Sequence, residues 1–395
     1  MTRRHDIDAL RALAFCLLIL YHLAMFYVLD WEWHIKSVHL AEWLQYPMLF
    51  VNRWRMDLIF LISGIAAAFL LKPDRAWRFV GQRTWRLFLP LVFGMAVIVP
   101  IQPYAQGVSN GLVEPGFVQF LLDYYGGKPW PKDAFDGWSS GVTWNHLWYL
   151  AYLWMYTLAL ALLAKPLASR VGQRVIARFA GLRGPALLFL PALPLVFYTL
   201  TLQERFPDNG DFIHDWYRNA VYFTVFLYGY AIARNEGFWA EALRLRKTSL
   251  AWALGLFVPY LSVALILPDE VPFWQQAVIW TLRNLYIWTM LLAILGWSHA
   301  LLNRPLRWLP WANESVYPWY MLHQSLIVGL GFWLANYKLG PIAEPALILL
   351  GTVAGCWSIG EIVKRIAWLR PCFGLKPRNA SAQPARLPEL QASSP

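Results

Sequence analysis

Ten predominantly apolar stretches, at about 12–29, 50–71, 86–101, 146–164, 185–202, 217–233, 249–267, 276–296, 314–335 and 344–365, alternate with short polar segments along the chain. About 20 apolar residues in a helix match the roughly 30 Å hydrocarbon core of a bilayer. The pattern therefore predicts an all-α, polytopic membrane protein with about ten transmembrane helices around an intramembrane site. Lys and Arg collect in alternate connections, at Lys72–Arg86, Lys165–Arg183, Arg234–Lys247, Arg304–Arg307 and from Lys364 onward. Cationic connections stay on the cytoplasmic side, which places both termini in the cytoplasm.

Composition agrees: of 395 residues, 58% are hydrophobic and only 14% charged. The net charge of +11 lies mostly in those connections, where anionic inner-leaflet lipids favour it, and no nucleic-acid motif accompanies it. The first apolar stretch continues into Trp31, Glu32 and Trp33 without a small-residue cleavage pattern, so it reads as an uncleaved anchor. Three cysteines, Cys16, Cys356 and Cys372, give neither a disulfide framework nor metal-ligand spacing, and no metal is expected. Residues 1–375 read as one transmembrane domain. Residues 376–395, rich in Pro, Ala, Ser and Gln, read as a disordered cytoplasmic tail. An outward loop over about 102–145 carries Tyr104, Phe117, Tyr124, Tyr125, Trp130, Trp138 and Trp144, which serve either as an interfacial aromatic belt or as faces for a carbohydrate ring.

Candidate chemistry begins on the first helix. Arg11 and His22 are eleven residues apart, close to three turns, so they share one face about 16 Å apart along the axis. An imidazole halfway through a bilayer is costly unless it faces protein or water. Neutral imidazole there can act as a general base, and a covalent histidine intermediate stays open beside it. Asp57 on the second helix, at similar depth, is a candidate orienter for His22; the other reading is an ion pair with Arg53 at the four-residue spacing. Arg83 and Arg86 share one face at the inner end of the third helix, as phosphate ligands or as plain anchors. His146 and His323 either orient an acceptor or are satisfied interhelical histidines. Trp148 accompanies His146 as a substrate contact or as packing. Arg283 is expensive in its span unless paired; it, Arg53 and Arg55 are candidate contacts for an anionic group. Ser63-Gly64 suits close helix approach, and Glu361 with Arg365 suits an ion pair.

Five blocks, Asp6-Ile-Asp-Ala-Leu-Arg11 with His22, Arg55-Met-Asp-Leu-Ile-Phe-Leu-Ile-Ser-Gly64, Arg83 and Arg86 before Leu89-Pro90, His146-Leu-Trp-Tyr-Leu150, and Asn313-Glu-Ser-Val-Tyr-Pro-Trp-Tyr-Met-Leu-His-Gln324, run in order across nearly the whole chain. Together they resemble the acyltransferase 3 family of integral-membrane acyltransferases. Stretches around Arg55–Gly64, Arg83–Pro90 and Glu361–Pro377 are similar to the branch that succinylates osmoregulated periplasmic glucans. The resemblance implies a bacterial inner-membrane location and transfer of a succinyl or acetyl group from cytoplasmic acyl-coenzyme A to a hydroxyl of a periplasmic or surface glycan. Arg11, Arg83 and Arg86 would then hold the coenzyme A phosphates, His22 and Asp57 would be catalytic, and His146, His323 and Trp148 would meet the substrate. A homo-oligomer is compatible with this. A transporter or flippase of lipid-linked sugar or acyl groups is the alternative, in which the buried His, Asp and Arg form a substrate path.

Overall fold

The computed structural model describes residues 4–137, 142–207, 213–266 and 271–377. Trp138 and residues 378–395, the bulk of the expected tail, lie outside them. The structure is 79% helical and, among the described residues, holds no β-strand. The long helices are α1 (His5–Tyr27), α2 (Gln45–Leu70) and α3 (Ala76–Phe93), the last prolonged by a π-helical turn, Gly94–Ile98, into α4 (Ile101–Ser109). α5 (Phe117–Tyr125) precedes α6 (Trp148–Leu162); α7 (Ala164–Ala168) and α8 (Arg170–Ala180) link it to α9 (Gly184–Phe189) and α10 (Ala192–Leu202). Then come α11 (Trp216–Ile232), α12 (Glu236–Ile266), α13 (Phe273–Leu302), α14 (Leu309–Leu334), α15 (Gly340–Arg365) and the short α16 (Leu369–Cys372).

Local chemistry explains several boundaries. α2 stops before Lys72-Pro73, because the residue ahead of a proline is pushed out of the helical region. Ser169 caps α8 by accepting from Gly172 N, and Asp215 caps α11 by accepting from Arg218 N; each side chain satisfies an orphan amide of a first turn.

Among the described residues all ten apolar stretches fall on helices, and six helical segments are long and apolar enough to cross a membrane: His5–Tyr27, Pro73–Ser109, Gly184–Leu202, Glu236–Ile266, Phe273–Leu302 and Gly340–Arg365. α2 carries Arg53, Arg55 and Asp57, and α14 carries Glu314, His323 and Gln324, polar residues that lower the apolarity of both. α6 and α11, at 15 and 17 residues, are shorter than the usual span.

One apolar core draws on residues from Ile7 to Leu375. Its tightest crossing is α2 on α11, where a Cβ on Gly64 would stand 1.9 Å from Phe226 O and one on Gly229 2.0 Å from Leu61 O. Glycines at both positions let the two backbones meet, the small-residue packing typical of helices in lipid. Ser63, its neighbour, instead shares a 2.5 Å hydrogen bond with Tyr149 Oη.

The expected loop over 102–145 is partly helical. Its Tyr104, Phe117, Phe120, Tyr124, Trp130 and Phe135 pack on one another, with Tyr104 and Phe120 ring centroids 5.4 Å apart and Phe120 and Trp130 5.1 Å apart. Rings of this size bury more surface against each other than alone in water. Glu361 pairs with Lys364 at 2.7 Å rather than with Arg365, and accepts from Trp311 Nε1.

Candidate active site

α1 and α14 lie side by side, and two contacts fix their relative direction. Arg11 Nη2 donates to Asn313 Oδ1 at 2.7 Å, and His22 Nδ1 meets His323 Nε2 at 2.8 Å. Eleven residues on one helix advance about as far as ten on the other, so the two helices run parallel and present two polar contacts roughly 16 Å apart. Asp6, buried at the start of α1, receives Arg4 and meets His299 Nδ1 of α13 at 2.8 Å, which ties that end of α1 to the bundle.

The hydrogen bonds of His323 determine where the protons sit. Its Nδ1 faces the carbonyl oxygens of Tyr320 at 2.7 Å and Trp319 at 3.2 Å. A carbonyl only accepts, so Nδ1 of His323 carries hydrogen, and in the neutral ring Nε2 is the acceptor. The proton between the two histidines therefore belongs to Nδ1 of His22. That leaves Nε2 of His22 with a free lone pair, the arrangement a general base needs. The rings are stacked, 5.0 Å between centroids and 21° apart, which fixes the direction of that lone pair.

His146, in the 3-10 turn just before α6, lies edge-on to His323 with centroids 5.2 Å apart. Its Nε2 donates to Met321 O at 3.0 Å and its Nδ1 accepts from Gln102 Nε2 at 3.2 Å. Gln102, fully buried, is a hub: it donates to Ser325 Oγ at 2.7 Å and accepts from Asn145 Nδ2 and Gln324 Nε2, each at 3.0 Å. Gln324 Nε2 in turn donates to His34 Nε2 at 3.0 Å. His34 Nδ1 donates to Gln106 Oε1 and faces Asp136 Oδ2, both at 3.1 Å. Gln102 and Gln106 are four apart on α4 and so share a face. The π turn ahead of them frees Ile98 O, which Ser325 Oγ satisfies at 2.8 Å.

At the other end of α1, Arg83 lies within electrostatic reach of Arg11, Arg86, Tyr149 and Tyr317. Arg86 donates to Gly374 O at 3.3 and 3.4 Å. Among the described residues no acid stands within 4.0 Å of Arg83 or Arg86, and Nε of Arg11 and of Arg83 is buried with no hydrogen-bond partner. Arg11 is 3.6 Å from Asp8. A narrow crevice lined by Arg11, Ala14, Phe15, Ile59, Ile62, Ser63 and Tyr149 runs between α1, α2 and α6. Three cations thus converge there with little compensation from acids.

The structure thus brings His22 together with His323, His323 with His146, and Arg11 with Arg83 and Arg86. It does not bring Asp57 to His22: His323 occupies the Nδ1 position. Asp57 is buried, its Oδ1 has no hydrogen-bond partner, and Arg283 lies within electrostatic reach. No ion pair joins it to Arg53. Arg283 donates to Gln203 Oε1 at 2.6 Å and Tyr217 Oη at 3.0 Å. Arg55 stacks 3.5 Å over the Tyr21 ring. Trp148 packs with Phe60 and Tyr222 under Arg218. Gln102, Gln324, Asn313 and His34 are the residues that spacing alone misses; a Gln inside an apolar run carries the same cost signal as His22.

The acyltransferase domain that defines the acyltransferase 3 family matches residues 4–361. The chain belongs to that family. It is therefore a multi-pass membrane acyltransferase. The glucans biosynthesis protein C of Escherichia coli O139:H28 strain E24377A is 23% identical over 97% of this chain and 98% of its own length. The protein of that name from strain 536 is 28% identical over 39% of this chain and 37% of its own length. No solved structure matches the chain.

Proposed function

We propose that this acyltransferase moves an acyl group from acyl-coenzyme A, held at the cytoplasmic end of α1, to a hydroxyl of a periplasmic or surface glycan, with His22 as the base. The observation that carries the reading is the proton order of the His22–His323 pair, which leaves His22 Nε2 as a free acceptor about 16 Å from three converging arginines. Coenzyme A is anionic at its nucleotide end and thin along its pantetheine arm, so Arg11, Arg83 and Arg86 suit its phosphates and the histidines its thioester. The glycan acceptor rests on the name of the relatives, and the succinyl or acetyl donor on the sequence resemblance.

In the reaction, His22 Nε2 takes the acceptor hydroxyl proton as that oxygen bonds to the thioester carbonyl carbon. The imidazolium is stabilised through Nδ1–H to His323, whose own Nδ1–H stays on backbone carbonyls. As the tetrahedral adduct collapses, the C–S bond breaks and the coenzyme A sulfur takes the proton back from His22. His146 and the Gln102 hub lie on the acceptor side.

The test pairs His22→Ala transfer assays with thermal shifts by acetyl- and succinyl-coenzyme A, because a ligand selective for the native state raises its stability. Donor-dependent stabilisation that disappears in Arg83→Ala/Arg86→Ala, together with loss of transfer in folded His22→Ala, supports the reading. Transfer retained by His22→Ala removes His22 as base, and the absence of any shift with either donor removes the coenzyme A site.

A further inference from the structure

α8 combines two features the acyl-transfer reading does not use. Arg170, Arg174 and Arg178, at successive four-residue steps, form one stripe, and all three are exposed. Among the described residues none has an acid within 4.0 Å. Beside that stripe, Val171 and Val175 are 69% and 60% exposed. The opposite face is the one that docks: the Phe179 ring stacks on Tyr228 with centroids 4.5 Å apart and Ala180 is buried. The helix therefore has a protein-facing side, a cationic side and an apolar edge between them.

Its position follows from what flanks it. α6 ends at Leu162, and Gly184 opens the next segment long and apolar enough to cross the membrane. α7 packs on the Pro73–Arg75 turn just before α3, so the α8 end of the molecule is the Arg83 end. A helix at the ends of membrane helices, with exposed valines beside exposed arginines, matches an element lying in the headgroup plane, apolar edge toward the acyl chains and cations toward phosphates.

We infer that α8 is an interfacial helix that binds the phosphate groups of anionic phospholipids through Arg170, Arg174 and Arg178, with Val171 and Val175 inserted at the acyl boundary. Water-facing valines would be an exposed apolar edge without purpose, and three unneutralised arginines on one stripe repel one another; an anionic leaflet resolves both. Each cation near such a surface adds its own attraction to the phosphates, so the stripe acts as a unit rather than through one residue.

The experiment is a thermal unfolding series of the full chain in detergent, titrated with phosphatidylglycerol, phosphatidylcholine or inorganic phosphate. Wild type should be stabilised by phosphatidylglycerol well beyond phosphatidylcholine, and Arg170→Gln/Arg174→Gln/Arg178→Gln should lose that difference while the corresponding triple Lys variant keeps it. Equal stabilisation by both lipids, or an unchanged difference in the triple Gln variant, overturns the inference; inorganic phosphate matching phosphatidylglycerol assigns the stripe to free phosphate and overturns it too. A nitroxide at Val175→Cys in phosphatidylglycerol vesicles supplies an independent readout: protection from a water-soluble relaxant supports insertion, and free access to it refutes the helix's placement.

Discussion

Two backbone carbonyls on His323 Nδ1 suffice to assign the lone pair on His22 Nε2. His22→Ala should lower kcat by about 10²- to 10⁴-fold, the range of a positioned acid–base group. His323 has a different signature, because its contribution is to accept the hydrogen bond from Nδ1–H of His22. His323→Gln, whose amide oxygen can accept, should keep more turnover than His323→Phe, with KM for the donor nearly the same in both. Matching losses in both variants would reduce His323 to packing. Position and cost made Arg11 and His22 legible in the sequence. The partner of His22 was not legible: Asp57 sits at similar depth, and only the placement of α14 shows that an imidazole, 301 residues away, holds that nitrogen instead.

Among the elements, the parallel pair α1 and α14 holds the two contacts that frame the site, and α2 with α11 supplies the rigid wall behind it. The helices themselves were readable because each apolar stretch is long and bounded by charge. The join between α3 and α4 was not, since Pro100 and a π turn set it and their reward is tertiary: Gln102 and Gln106 face the histidines, and Ser325 satisfies the freed carbonyl. The aromatic segment after it escaped for a related reason, as composition alone does not say whether rings face a ligand or one another. The α2–α11 crossing carries a direct prediction. Gly229→Leu drives a side chain into the Leu61 carbonyl, and overpacking of this kind costs about 1–3 kcal/mol or more. Its thermal midpoint should fall clearly below that of Gly255→Leu, where the added Cβ meets nothing within 4 Å; equal midpoints would mean that the backbones do not meet there.

Across the whole molecule, the arginines stand at one end of α1, and at the other a hydrogen-bonded polar path runs from His146 through Gln102, Gln324 and His34 to Asp136, so the far end of that path is held by a contact that titrates. Asp136 lies outside the membrane-spanning segments, and the hydrogen bond from His34, outweighing the opposing effect of burial, holds its carboxyl below the ordinary value. A carboxyl lowered in the folded state stabilises that state above its unfolded value, and the contribution is lost as pH falls through the lower, folded value. The His34 contact should therefore hold the segment around Asp136 at neutral pH and release it as the pH falls below the ordinary carboxylate range. Protection factors for residues 126–137 from hydrogen exchange should drop across that interval by more than those of α1, and Asp136→Asn should remove the difference between the two segments. An unchanged pH response in Asp136→Asn would mean that the segment is held by its aromatic cluster alone, and that the polar path ends at His34.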